Sequence, residues 1–340
     1  MTHRRIMMAI ALLGMVGCSR PRVELLKPPQ TPVVWPKEPD RPRIRLLGEL
    51  RTSEDLQPSR TIRDVWEELL YGPRKPWRLI SPYAVAVHAD GARVAIADTG
   101  AACVHIFDLE RRTYANMAEC GPEADRLGCP VGVAWAGDIL YVADSSLRAV
   151  AAFGPTPVVQ LIGRQELKRP AGLSHCAAND FLYVTDAGAH AVLAFDRRGH
   201  LAARFGSRGS APGEFNVPSH IACGPDGTIA VADSLNFRIQ QFGPDGSPRR
   251  TFGTKGDAPG DFALPKGVAY DPDGNLWVVD AQFENVQGFD REGRLLMAFG
   301  QEGTAAGEFS IPAGICIDAR RRIWIADTYN QRVQVFELLP

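Results

Sequence analysis

Six aspartates close six short hydrophobic runs: VAIAD at Asp98, LYVAD at Asp144, LYVTD at Asp186, IAVAD at Asp233, LWVVD at Asp280 and IWIAD at Asp327. If one carboxylate per run faced a common axis, the ring could hold a divalent cation or work as paired acid and base. A residue needed once per run at a strand end is better read as doing one local task six times, accepting backbone N–H groups in the adjoining turn. Asn236 and Asn330, three residues after Asp233 and Asp327, are expected to share that task. His220 stands alone in kind. It occupies a slot filled elsewhere by Gly132, Gly172, Gly267 and Gly314, and by Ala84. A lone imidazole there reads as a polar channel-lining residue rather than a ligand, because a metal needs several convergent groups. His175, His190 and His200 fall at unrelated positions and complete no triad.

The elements that must position these residues repeat as well. The aspartates are 46, 42, 47, 47 and 47 residues apart, and a phenylalanine follows each by nine: Phe107, Phe153, Phe195, Phe242, Phe289 and Phe336. A β-branched residue follows each by six, and a proline precedes each by 14 to 16, from Pro82 to Pro312. Each unit therefore reads as an inner strand, a turn, a strand ending at the aspartate, a third ending at the phenylalanine, and a fourth leading to FG. Four antiparallel strands form a propeller blade, and six copies near 45 residues predict an all-β, six-bladed β-propeller of four-stranded antiparallel blades over about 82–340.

The last copy ends at Pro340 after three strands. The segment RIRLLGEL, residues 43–50, lines up with GRLLMAFGQEG of blade five. It is expected to pair with the strand containing Val333 and Val335, bury Ile44, Leu46 and Leu47, and close the ring, so that the propeller comprises 43–340.

Composition agrees with many strands and turns: 33 glycines, 26 prolines and 45% hydrophobic residues. The net charge of -1 argues against nucleic acid as a partner, although Arg111-Arg112, Arg197-Arg198, Arg249-Arg250 and Arg320 to Arg322 make basic turns. At the N-terminus, His3, Arg4 and Arg5 precede an apolar run from Ile6 to Val16, too short to span a bilayer and suited to a signal peptide over 1–17. Residues 18–42 are proline-rich and read as an extended tether. Residues 59–72 place Ile62, Val65, Trp66, Leu69 and Leu70 at helical spacing, for packing on the propeller or for docking to a partner or membrane. Cys120 and Cys129 flank a loop that a disulfide could close, and Cys316 falls in an inner-strand slot as a small core residue.

The sequence MVGC ending at Cys18 resembles a bacterial lipobox. The resemblance implies cleavage before Cys18, diacylglycerol on its sulfur and, with Ser19 next, sorting to the outer membrane. The competing reading is an ordinary signal peptide with an incidental cysteine.

The copies running from FGSRGSAPGEF to Phe242 and from FGQEGTAAGEF to Phe336 resemble NHL repeats, with Asn236 and Arg238, and Asn330 and Arg332, matching the family pattern. Blades one to three carry Cys103, Ala149 and Ala191 at the arginine position, and blade five carries Asn285. The whole layout is similar to that of bacterial six-bladed NHL lipoproteins. This implies an exported, membrane-anchored, non-catalytic scaffold without a cofactor, binding an envelope protein or other envelope ligand, with His220, Arg238 and Arg332 as candidate channel-lining or binding residues. The alternative implied by other propellers is a metal-dependent enzyme, lactonase-like or amidating-lyase-like, with an ion such as calcium in the central channel.

Overall fold

The computed structural model describes residues 25–57, 66, 70, 72, 75–120, 125–154 and 160–340. The expected signal peptide, Cys18 and most of the helical segment 59–72 lie outside the described residues. Trp66 and Leu70, which are described, have helical backbone and are 60% and 69% exposed.

Blade four shows how the repeat becomes a sheet. Pro218–Cys223, Ile229–Asp233, Arg238–Phe242 and Pro248–Phe252 pair antiparallel in chain order. Asp226 and Asp245 set its two hairpin turns, each carboxylate accepting the backbone N–H two residues on, at 3.0 and 3.1 Å. The five other blades repeat the plan, and the inner strands neighbour one another in order, with the last touching the first. The molecule is a closed six-bladed propeller. Each of its six hydrophobic clusters lies between two adjacent blades, so the second strands, covered on both faces, are continuously apolar.

Closure joins the two ends of the chain. Ile44–Leu50 pairs antiparallel with Arg332–Leu338, placing Ile44 opposite Leu338, Leu46 opposite Phe336 and Leu50 opposite Val333. Ile44, Leu46 and Leu50 are buried, whereas Leu47 is half-buried, because a bulge between Leu46 and Gly48 shifts the register. Gly48 has φ +149°, and a Cβ there would lie 3.0 Å from the Lys27 backbone. Only glycine lets the incoming segment cross so close.

That crossing corrects one expectation. The second half of the segment read as a tether is docked: Val34–Trp35 adds a fifth strand to the last blade, pairing with Ile44 and Arg45, and the Trp35 ring packs on Phe299 and Phe336 at 5.5 and 5.8 Å. The expected cysteine pairing is also corrected. Cys120 and Cys129 are free, and the disulfide joins Cys176 to Cys223. Cys120 packs with Leu127 between blades one and two, whereas Cys129 packs with Tyr83 against the cluster of blades two and three, so the two thiols face different cores. Cys176 and Cys223 end the inner strands of adjacent blades, which stacking brings together. No helix among the described residues is long and apolar enough to cross a membrane.

Candidate binding site at the channel

The six aspartates are fully buried and their oxygens are occupied. Asp186 accepts N–H groups from Lys168 and Arg169 in the segment entering the blade, at 2.6 and 2.9 Å, and from Gly188 and Ala189 in its own turn, both at 2.9 Å. Asp98, Asp144 and Asp280 make the same four-point clasp. In blades four and six side chains replace most of those amides. Asp233 accepts from Asn236, Arg238 and Gln240, and Asp327 from Asn330, Arg332 and Gln334, each keeping one entering N–H, from Asn216 and Ser310.

This places Arg238 and Arg332 away from the channel, correcting their candidacy there. Arg238 reaches the carbonyls of Ser210, Ala211 and Glu214, and Arg332 those of Ala305 and Glu308. Both guanidiniums therefore tie the long crossing between blades to the aspartate, and Arg332 also pairs with Glu49 of the closing strand at 3.0 Å. Blade one adds a side chain to its amide clasp: His105 takes the glutamine position and lies 3.3 Å from Asp98, with Tyr114 2.7 Å from its other ring nitrogen. Burial, with help from the Asp98 charge, pushes the Cys103 thiol, 3.5 Å from His105, up to about 11, which disfavours the thiolate.

His220 does reach the channel region. The neighbouring slots show why it is exceptional: a Cβ on Gly267 would lie 2.3 Å from the Ala313 carbonyl oxygen, and one on Gly314 2.6 Å from that of Tyr83. Side chains occupy the slot only in blades one and four, which face each other across the ring. The His220 imidazole stacks on Tyr83 of the opposite blade, with centroids 5.6 Å apart and planes inclined by 27°. Lys266 Nζ lies 5.2 Å from the centre of the same tyrosine ring, a cation–π contact. The hydroxyls of Ser219 and Ser234, 2.8 Å apart, and Thr185 bond to inner-strand carbonyls and fix the frame around them.

His220 is only 8% exposed, and neither ring nitrogen has a partner. Burial, reinforced by the Lys266 charge, lowers its pKa to about 3, so the ring is neutral and offers one donor and one acceptor. Burial likewise lowers the Lys266 pKa and raises that of Tyr83, where Cys129 adds to the rise and Arg169 opposes it. Because the unfolded imidazole titrates near 6.5, the unfolded chain binds the extra proton between that pH and about 3, and wild-type stability falls on acidification through this window. His220→Phe removes the effect. Urea unfolding at pH 7 and pH 5 should show the wild type losing up to about 1.4 kcal/mol per pH unit more than the variant; equal losses would contradict a buried neutral His220.

Tyr83 and Lys266 are the residues that sequence reasoning missed. They occupy the position just before the glycine slot, where the other blades carry Val131, Ala171, Ser219 and Ala313. Two large polar side chains among small ones were the available signal. The cluster does not fit a channel metal. Among the described residues no three His, Cys, Asp or Glu side chains converge on one point, and the imidazole sits beside an ammonium group that would repel a cation. What the arrangement can do is recognise: it presents an ammonium and an aromatic face beside a buried imidazole.

Fold and site together define a six-bladed propeller of blades strapped by aspartates, with one polar cluster at the channel. Residues 309–336 match the NHL repeat family. No curated protein matches the chain. Among solved structures it is similar to an auxiliary nutrient binding protein from Bacteroides thetaiotaomicron, with 13% identity and a TM-score of 0.61 over 76% of this chain and 69% of that one. It is also similar to a gluconolactonase from Xanthomonas campestris, with 18% identity and a TM-score of 0.59 over 77% and 87% of the two chains. Virginiamycin B lyase from Staphylococcus aureus aligns with 13% identity and a TM-score of 0.56 over 76% and 96%. At these identities the likeness is one of fold, shared by binding proteins and enzymes alike.

Proposed function

We propose that this protein is a non-catalytic binding propeller, exported and held at the bacterial outer membrane by lipid on Cys18, that engages an envelope protein or other envelope ligand at its aspartate-bearing face. The observation that carries the reading is the composition of that face. Leu235, Ile311 and Tyr329 are 45%, 36% and 69% exposed there, beside the strand ends from which His220, Tyr83 and Lys266 project. Exposed apolar side chains on one face, beside a desolvated polar group, offer surface that a partner can bury. The groups available for acid–base chemistry are otherwise engaged: the repeated carboxylates hold the backbone, and no carboxylate among the described residues bonds to His220. Crosslinking in intact cells through this face, followed by identification of the adduct, tests the reading. A specific envelope adduct is expected, together with loss of membrane association in Cys18→Ser; recovery of neither would overturn it.

A further inference from the structure

The face opposite the aspartates carries a second site of different chemistry. Between blades four and five lies a cleft of about 460 Å³ walled by Asp226, Thr228, Arg249, Arg250, Tyr270 and Arg291. Several arginines elsewhere on this face are paired with carboxylates: Arg93 with Asp90 and Asp138, Arg294 with Asp290, Arg321 with Asp273, and Arg322 with Asp318. In the cleft they are held by neutral acceptors instead. Arg249 donates to the Thr228 hydroxyl at 3.1 Å, Arg291 to the Asp273 carbonyl at 3.0 and 2.6 Å, and Arg250 to the Glu292 carbonyl. These bonds fix the guanidiniums. No carboxylate among the described residues closes an ion pair on them, although the charge of Arg249 is felt by Asp226 and Asp245 and that of Arg291 by Asp273, and most of their N–H groups have no acceptor among the described residues. Asp226, the one carboxylate in the wall, accepts the Thr228 N–H and hydroxyl at 3.0 and 2.9 Å. The Tyr270 hydroxyl accepts from Gln241 at 3.1 Å, leaving its own proton to donate.

Three positioned guanidiniums and a phenolic donor, with Asp226 in the wall and Asp245 and Asp273 close by, make a donor-rich cavity. We propose that this cleft binds a small ligand through a phosphate or sulfate group, its oxygens taken by the forks of Arg249, Arg250 and Arg291. A guanidinium without a contact ion pair in a recess is well suited to that exchange, because the oxyanion replaces water rather than a bonded carboxylate. The group could arrive as the free ion or on a saccharide, and affinity separates the two sources.

The test is calorimetric titration of the purified protein, at physiological ionic strength, with inorganic phosphate, sulfate, glucose 6-phosphate and glucose. Saturable binding of the three anions and none of glucose is expected. Tighter binding of glucose 6-phosphate than of phosphate identifies a sugar-borne group, and equal binding a free oxyanion. Arg249→Ala and Arg291→Ala, checked for unchanged melting, should each weaken binding about tenfold or more. Arg111→Ala, a control at an exposed turn of the same face, should leave it unchanged. No saturable binding at millimolar anion, or equal weakening by Arg111→Ala, would overturn the proposal.

Discussion

A chain lacking residues 19–50 melts about 10 °C or more below the full-length protein, if the N-terminal strand closes the ring. The deletion exposes Val333, Val335 and Phe336, all fully buried, and leaves Arg332–Leu338 as an open edge. It also removes three buried side chains, Ile44, Leu46 and Leu50, each contributing about 1.5–3 kcal/mol by burial alone, before the ladder hydrogen bonds are counted. Ordering the strand opposes this, but its ends are tied as well: Leu339 donates its N–H to the Arg43 carbonyl, and Arg41 donates to that of Pro340. A synthetic peptide of residues 25–50 added to the truncated protein should raise the melting temperature with concentration, as binding to the folded state requires. An unchanged melt after deletion would show that the ring does not depend on this strand.

Arg332→Ala costs about 3–5 kcal/mol, far more than a surface arginine, because it strands a buried charge. Its side chain is 2% exposed and joins three parts of the last blade. It donates to Asp327 at 2.6 Å, to Glu49 of the closing strand at 3.0 Å, and to the Ala305 and Glu308 carbonyls of the crossing at 2.8 and 2.7 Å. Without it Asp327, whose pKa burial already raises against the bonds from Ser310, Asn330 and Arg332, loses its nearest cation. Lysine should rescue little, since one ammonium cannot span the fork of acceptors. Chemical denaturation of Arg332→Ala, Asp327→Ala and the double variant checks the argument: the double should cost clearly less than the sum of the singles. Simple additivity would mean that the two residues act separately.

The ring and its closure were legible because both rest on repetition. An aspartate and a phenylalanine at fixed spacing mark every blade, and residues 43–50 carry the pattern of the fourth strands. The fifth strand was hidden: Val34–Trp35 is two residues among prolines, and Trp35 is held by rings from blades five and six rather than by local pattern. The disulfide was hidden for a related reason. Cys176 and Cys223 end successive inner strands, and their proximity is created by blade stacking, whereas the loop between Cys120 and Cys129 suggested a local pair. Arg238 and Arg332 were recognised as special, but the sequence did not reveal that their partners are carbonyls some 25 residues upstream. His220 stood out against the glycines of its slot, while the side chains that meet it, Tyr83 and Lys266, come from other blades.

The proposed binding surface of this propeller is its aspartate-bearing face. A photo-reactive phenylalanine analogue placed at position 329 on that face, or at position 138 on the opposite face, measures this directly in intact cells. Tyr329 is 69% exposed and the Asp138 side chain equally so, which makes the two positions comparable in access. A discrete adduct from position 329, weakened by His220→Phe and absent from position 138, is the predicted result. Adducts from position 138 alone, or from neither position, would contradict the claim.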